Sequence, residues 1–175
     1  CKDYQHNEYT DFTVEIKQQD IDFERRKSFD ENIVHRYSDS YLETLAVYRK
    51  ICEKLIEENI ILFHGSAVAV DGTAYLFTAG SGVGKSTHTR LWKEYFGKRA
   101  IMVNDDKPLL KVGSGSITIF GTPWNGKHKL GSNIAVPLKS ICVIMRSEQN
   151  HIEQITVSHA YTCLLYTSPS PRDCS

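Results

Sequence analysis

Ala79-Gly80-Ser81-Gly82-Val83-Gly84-Lys85-Ser86 brings small residues, a lysine and a hydroxyl together at the spacing of a phosphate-binding loop, with alanine in the first position. Glycines let the backbone turn several N–H groups toward one point, where phosphate oxygens can accept from them. The Lys85 ammonium is then placed to reach β- and γ-phosphates, and the Ser86 hydroxyl to ligate Mg²⁺. The nucleotide-binding set read from this stretch is Gly80, Ser81, Gly82, Val83, Gly84, Lys85, Ser86 and Thr87. Phosphoryl chemistry also needs a carboxylate near the metal and often a base for the attacking hydroxyl. Asp105-Asp106, which follow the apolar run Ala100-Ile-Met-Val103, suit both needs. Two adjacent carboxylates beside a metal and phosphates need not share one proton affinity. His64 ends another apolar run, Ile60-Ile-Leu-Phe63, at a Gly65-Ser66 turn, from where it can face the same site.

These residues must be held by particular elements. Thr73–Thr78 reads as a buried strand entering the glycine loop, and Thr87–Phe96 as the helix leaving it, stopped by Gly97. That order puts the positive end of a helix dipole under a bound phosphate. Asp71-Gly72 predicts a hairpin turn between Ala67–Val70 and the loop strand. Leu109–Val112 and Ile117–Phe120 predict a second hairpin around Gly113-Ser-Gly115, followed by a loop over Gly121–Lys127 and a strand over Leu138–Met145. Upstream, Phe12–Ile16 alternates as a half-buried strand does, with Ile21–Arg25 as its expected partner. Ser40-x-x-Glu43 predicts a capping box that opens a helix reaching about Glu58, with Tyr41, Leu45, Tyr48, Cys52 and Leu55 as its packing stripe. Strands outnumber helices and several are joined by hairpins. The expected fold class is therefore α/β, a P-loop domain with a mixed β-sheet and flanking helices.

The 175 residues carry 21 basic and 21 acidic side chains, so no global field draws the chain to nucleic acid or to an anionic membrane. No apolar run reaches the length of a membrane span. The five cysteines show neither a CxxC pair nor a disulfide framework, which suggests a reducing, cytoplasmic setting. Cys163-Leu-Leu-Tyr-Thr-Ser-Pro-Ser-Pro-Arg-Asp173 reads like a translated sequencing adapter rather than native protein. The expected division is then 1–39, N-terminal strands of unassigned role; 40–162, a kinase-like domain truncated at its C-terminal side; and 163–175, not native.

The order His64-Gly65, then Gly80–Ser86, then Val103-Asn-Asp-Asp106 resembles the catalytic domain of bacterial HPr serine kinase/phosphorylase and its smaller relatives, which share a fold with ATP-dependent phosphoenolpyruvate carboxykinases. The resemblance covers Ile60–Val112 and extends more loosely to Gly121–Lys127 and Leu130–Val143. It implies ATP and Mg²⁺ as cofactors and a serine on a protein or peptide as acceptor. It further implies that Lys85 grips the β/γ-phosphates, Ser86 and Asp105 serve the metal, and Asp106 takes the proton of the serine hydroxyl. His64 matches an active-site histidine of that family. Relatives of this type often form rings, so a homo-oligomer is an open expectation. The Glu-Ile-Arg-Gly-type segment of the bifunctional enzymes is replaced here by Gly121–Lys127, which puts the reverse phosphorolysis in doubt.

Two other readings compete. One is an ATP-binding regulatory module without transfer activity, and the other is a small-metabolite kinase or carboxykinase-like enzyme. Lys127-His128-Lys129 can clamp a phosphate or an acidic partner, or simply be solvated. Trp124 reads as core before it reads as a stacking platform, and Arg90 and Arg146 receive no role.

Overall fold

The computed structural model describes residues 2–5, 10–30, 37–80, 82–126 and 128–167. Ser81 and Lys127, both singled out above, lie outside the described residues, as do 168–175. Among the described residues, seven strands form one mixed sheet: β1 (Ile60–Leu62), β2 (Ser66–Val70), β3 (Thr73–Thr78), β4 (Ala100–Asn104), β5 (Leu109–Val112), β6 (Ile117–Phe120) and β7 (Ala135–Val143). Their order is β1-β5-β6-β7-β3-β2-β4. Of these strands, β3 and β7 pair in parallel, and the other neighbours pair antiparallel, β1–β5, β2–β3, β2–β4, β5–β6 and β6–β7. Both expected hairpins form, β2–β3 across Asp71-Gly72 and β5–β6 across residues 113–116.

β2 and β3 are covered on both faces, so their sequences read as continuous apolar runs rather than alternations. On one face Ala67, Ala69, Ala74 and Leu76 pack with Val103, Leu110 and Ile119. On the other, Val68, Val70, Phe77, Ala100 and Met102 receive Trp92 and Phe96 from helix α3 (Lys85–Phe96). Trp92 is the anchor of that helix, with its ring 4.9 Å from Tyr75, 5.2 Å from Phe77 and 5.4 Å from Phe96. Ring pairs at such separations add about 0.5–1.5 kcal/mol each beyond area burial. The helix begins two residues earlier than expected, because Lys85 and Ser86 already join its first turn.

Helix α1 (Gln18–Asp30) replaces the strand expected over Ile21–Arg25, and residues 12–17 form no strand. The physical reason lies in what α1 buries. Its inward face carries Asp20 and Glu24, 8% and 2% exposed, rather than apolar side chains. Their partners stand on helix α2 (Asp39–Leu55): Arg49 reaches Glu24 at 2.6 Å and Asp20 at 3.5 Å, and Lys50 reaches Asp20 at 2.9 Å. Burial of paired acids leaves no hydrophobic period to read. Lys50 also donates to the Glu15 carbonyl at 2.8 Å, so a side chain rather than a neighbouring strand meets that part of segment 12–17.

α2 is capped by Ser38, which accepts from Tyr41 N, and not by Ser40. Its buried stripe is Leu42, Ala46 and Tyr48, and Tyr41 is exposed. A turn of 3₁₀ helix, Ile56–Glu58, continues it to the expected end. β7 begins three residues before the expected Leu138, since Pro137 pairs opposite Thr118 at a position where sequence rules discourage a strand. Helix α4 (Val157–Thr167) continues through Cys163 into the stretch read as adapter. None of Cys52, Cys142 and Cys163 is in a disulfide. No helix among the described residues is long and apolar enough to cross a membrane.

His88 sits inside the α3 anchor, its ring 4.6 Å from Phe77, and its Nε2 accepts from Trp92 Nε1–H at 3.2 Å. Burial lowers the affinity of this imidazole for a proton below the ordinary value of 6.5. Well above pH 6.5 the imidazole is uncharged in both the folded and the unfolded chain, and its contribution to stability is fully present. As pH falls below about 6.5 the unfolded chain takes up a proton that the native ring resists, so stability is lost. Urea unfolding should therefore show stability declining between about pH 6.5 and pH 5. His88→Gln, which keeps an acceptor for Trp92, should flatten that part of the profile, whereas an unchanged slope would place the titration elsewhere.

Candidate functional site

β3 delivers the chain to the glycine loop, and the loop leads directly into α3. Gly84 occupies the position before the helix with φ +120°, a conformation that side chains rarely adopt. It has no side chain to cap the first turn, and no side-chain cap bond is present there. The leading N–H groups of α3 and the positive end of its dipole thus face the loop. Val83 N donates to the Gly80 carbonyl at 3.3 Å, closing a tight turn. Lys85 folds back so that Nζ donates to the Ala79 carbonyl at 3.0 Å. Burial lowers its proton affinity, and the negative charge of Asp106 acts in the opposite direction.

Asp105 and Asp106 stand on a turn built by Asn104, a residue to which the sequence reading gave no function. Asn104 is fully buried. Its Oδ1 accepts from Asp106 N at 2.8 Å and from Lys107 N at 2.7 Å, an Asx turn. Its Nδ2 donates to the Thr122 carbonyl, Thr122 Oγ1 and the Trp124 carbonyl at 3.2, 3.0 and 3.3 Å. One amide therefore ties the end of β4 to loop 121–126. That loop is also clamped by packing: a side chain at Gly121 would meet the Ser132 carbonyl and, at 2.6 Å, the Val103 carbonyl. Trp124 stacks on Tyr48 at 4.1 Å and donates to the Thr44 carbonyl, so it lies half-buried against α2.

The two acids differ in setting. Asp105 is 5% exposed; its Oδ1 accepts from Gly126 N at 2.6 Å, and its Oδ2 is buried with no protein partner. Asp106 is half-buried, and its Oδ1 lies 3.4 Å from His64 Nε2. Backbone bonds hold the two segments together: Phe63 N donates to Pro108 O and Gly65 N to Asp106 O. A cleft of about 100 Å³ opens between α3 and the end of β4, and Ser86, Thr87 and Asp105 all line it.

The structure thus brings together His64 with Asp106, Lys85 within electrostatic reach of Asp106, and Ser86 and Thr87 with Asp105. It adds Arg146, which follows β7 and donates from Nη2 to the Gly82 carbonyl at 3.0 Å. Arg146 was illegible in the sequence because only the parallel β3–β7 pairing carries it back to the loop. His128 lines the cleft as well, on the loop that follows Gly126. No group of three or more His, Cys, Asp or Glu suited to a metal occurs among the described residues.

No protein-family model matches this chain, and no curated protein matches it. Among solved structures, the HPr(Ser) kinase/phosphatase from Coxiella burnetii is similar with a TM-score of 0.37 and 15% identity, over 53% of this chain and 70% of that one. A likeness this distant assigns no family.

Replacing Asn104 by Asp keeps the two accepted bonds but exchanges three donor contacts for a buried charge beside Asp105. Asn104→Asp is expected to lower the unfolding free energy by about 3 kcal/mol in urea titration. A loss under about 1 kcal/mol would mean that the turn does not depend on this amide.

Proposed function

We propose that the protein is an ATP- and Mg²⁺-dependent kinase that phosphorylates a serine on a protein or peptide, and that residues 40–162 carry this activity. The observation that carries the reading is the convergence of Ser86 and Thr87, at the start of α3, with Asp105, at the end of β4, on one cleft. The glycine loop and the half-buried Lys85 directly precede Ser86 in the chain, and the helix start they lead into has no side-chain cap.

The donor set suits a small hard cation. Asp105 Oδ2 is a buried oxygen without a protein partner, and Ser86 offers a hydroxyl at the same cleft. Mg²⁺ is commonly held by one or two protein oxygens together with substrate phosphates, so no larger cluster is required. When bound, it would neutralise charge on the phosphate oxygens.

The remaining roles belong to this chain's own side chains. The loop amides and the Lys85 ammonium would hold the terminal phosphates, with Lys85 exchanging the Ala79 carbonyl for a phosphate oxygen. Asp106, less buried than Asp105, would accept the proton of the serine hydroxyl as that oxygen attacks. His64, 3.4 Å from Asp106 Oδ1, would fix the carboxylate's orientation. Arg146 would hold the loop through Gly82. Such catalysis rests on positioning and electrostatic stabilisation more than on covalent chemistry.

Asp106→Asn retains the shape of the site but removes the base. Transfer from labelled ATP to serine peptides should fall at least about a hundredfold, since general-base catalysis contributes about 10²–10⁴. MgATP affinity should remain within about threefold, because Asp106 is assigned to the acceptor rather than the nucleotide. Equal loss of binding and transfer would remove Asp106 from that role.

A further inference from the structure

The cleft that holds Ser86 and Asp105 at its inner end continues outward along α3. Arg90 and Lys93 follow Ser86 at helical spacing and line the same wall, and His128 faces them from the loop beyond Gly126. Met102 and Leu130 form its apolar floor. Among the described residues Arg90 has one carboxylate neighbour, Glu94 on its own helix at 3.9 Å, with both side chains more than half exposed. An ion pair that long and that exposed neutralises little. The outer cleft is therefore a short groove with basic walls. Its inner end is the place where, on the kinase reading, the phosphoryl group is transferred.

We infer that this groove selects the acceptor, and that its occupant is an acidic peptide segment: a serine with aspartate or glutamate side chains close to it in sequence. This inference rests on the proposed kinase activity and narrows it. The serine hydroxyl would lie at the inner, Asp105 end, next to Asp106 in the chain. Acidic side chains on one flank would extend along α3 to Arg90 and Lys93, with His128 opposite. The apolar floor suits the aliphatic stems of glutamates, whose carboxylates remain at the wetter rim. Attraction between exposed charges of this kind acts strongly on encounter and weakens with salt.

The test uses a fluorescein-labelled peptide in which glutamates flank one serine, and a matched peptide with glutamines in their place. Anisotropy with the full chain in MgATP should show the acidic peptide binding at least tenfold more tightly, with that advantage shrinking as salt is raised. In R90E/K93E the advantage should vanish or invert, while calorimetric MgATP affinity and melting temperature stay unchanged. Equal affinity for the two peptides, or an acidic preference that survives R90E/K93E, would overturn the inference. So would a variant that loses MgATP affinity, because the groove would then serve the nucleotide. Failure of the folded parent to bind MgATP is a separate result and would sink the kinase reading itself.

Discussion

The buried amide of Asn104 is the constraint on which the candidate site depends. Its oxygen satisfies the backbone of the Asp105–Lys107 turn, and its nitrogen holds the backbone of loop 122–124. Because both ends of the side chain are committed, neither segment can shift alone without stranding a buried polar group. From this tie the two acids receive opposite settings: Asp105 points into the interior toward Gly126, and Asp106 stays half-buried against His64. The isolated bridge between Asn104 and Gly131 then joins the end of β4 to the segment leading into β7.

β7 does the corresponding service for the glycine loop. Its parallel pairing with β3 runs to Thr78↔Val143, so the chain leaves β7 beside the point where the loop begins. Ile144 N continues the register by donating to Thr78 O at 2.8 Å, and Arg146 reaches Gly82 two residues later. α3 is held against the opposite sheet face by Trp92 and by the buried Ser66–Thr89 hydroxyl pair at 2.8 Å. The site is thus framed by strand ends and one helix start, with loops pinned to them by side-chain bonds.

Much of this frame was legible because local signals agreed with it. Asp71-Gly72 forms the hairpin turn it predicts, with Asp71 at φ +49° and Gly72 at φ +79°. The β3–loop–α3 sequence matches its pattern to within two residues. What stayed hidden depended on contacts remote in sequence. Glu24 reads as a surface residue until Arg49 is placed against it. Tyr41 reads as core until α1 takes the other side of α2. Asn104 stands in the Val103–Asp106 motif, but nothing in the sequence reveals that its side chain reaches Thr122 and Trp124. The residues proposed for chemistry were visible as a motif; the residues that position them were visible only in the fold.

The central claim is that the glycine loop, Lys85 and the start of α3 hold the phosphates of ATP. Calorimetric titration of MgATP into the folded protein, with Lys85→Met alongside, tests it most directly. The account predicts saturable binding at one site per chain in the parent. In Lys85→Met that binding should weaken at least tenfold with no fall in melting temperature, because the substitution removes a charge that burial already disfavours. Absence of binding in a folded parent, or equal binding in both proteins, would contradict it.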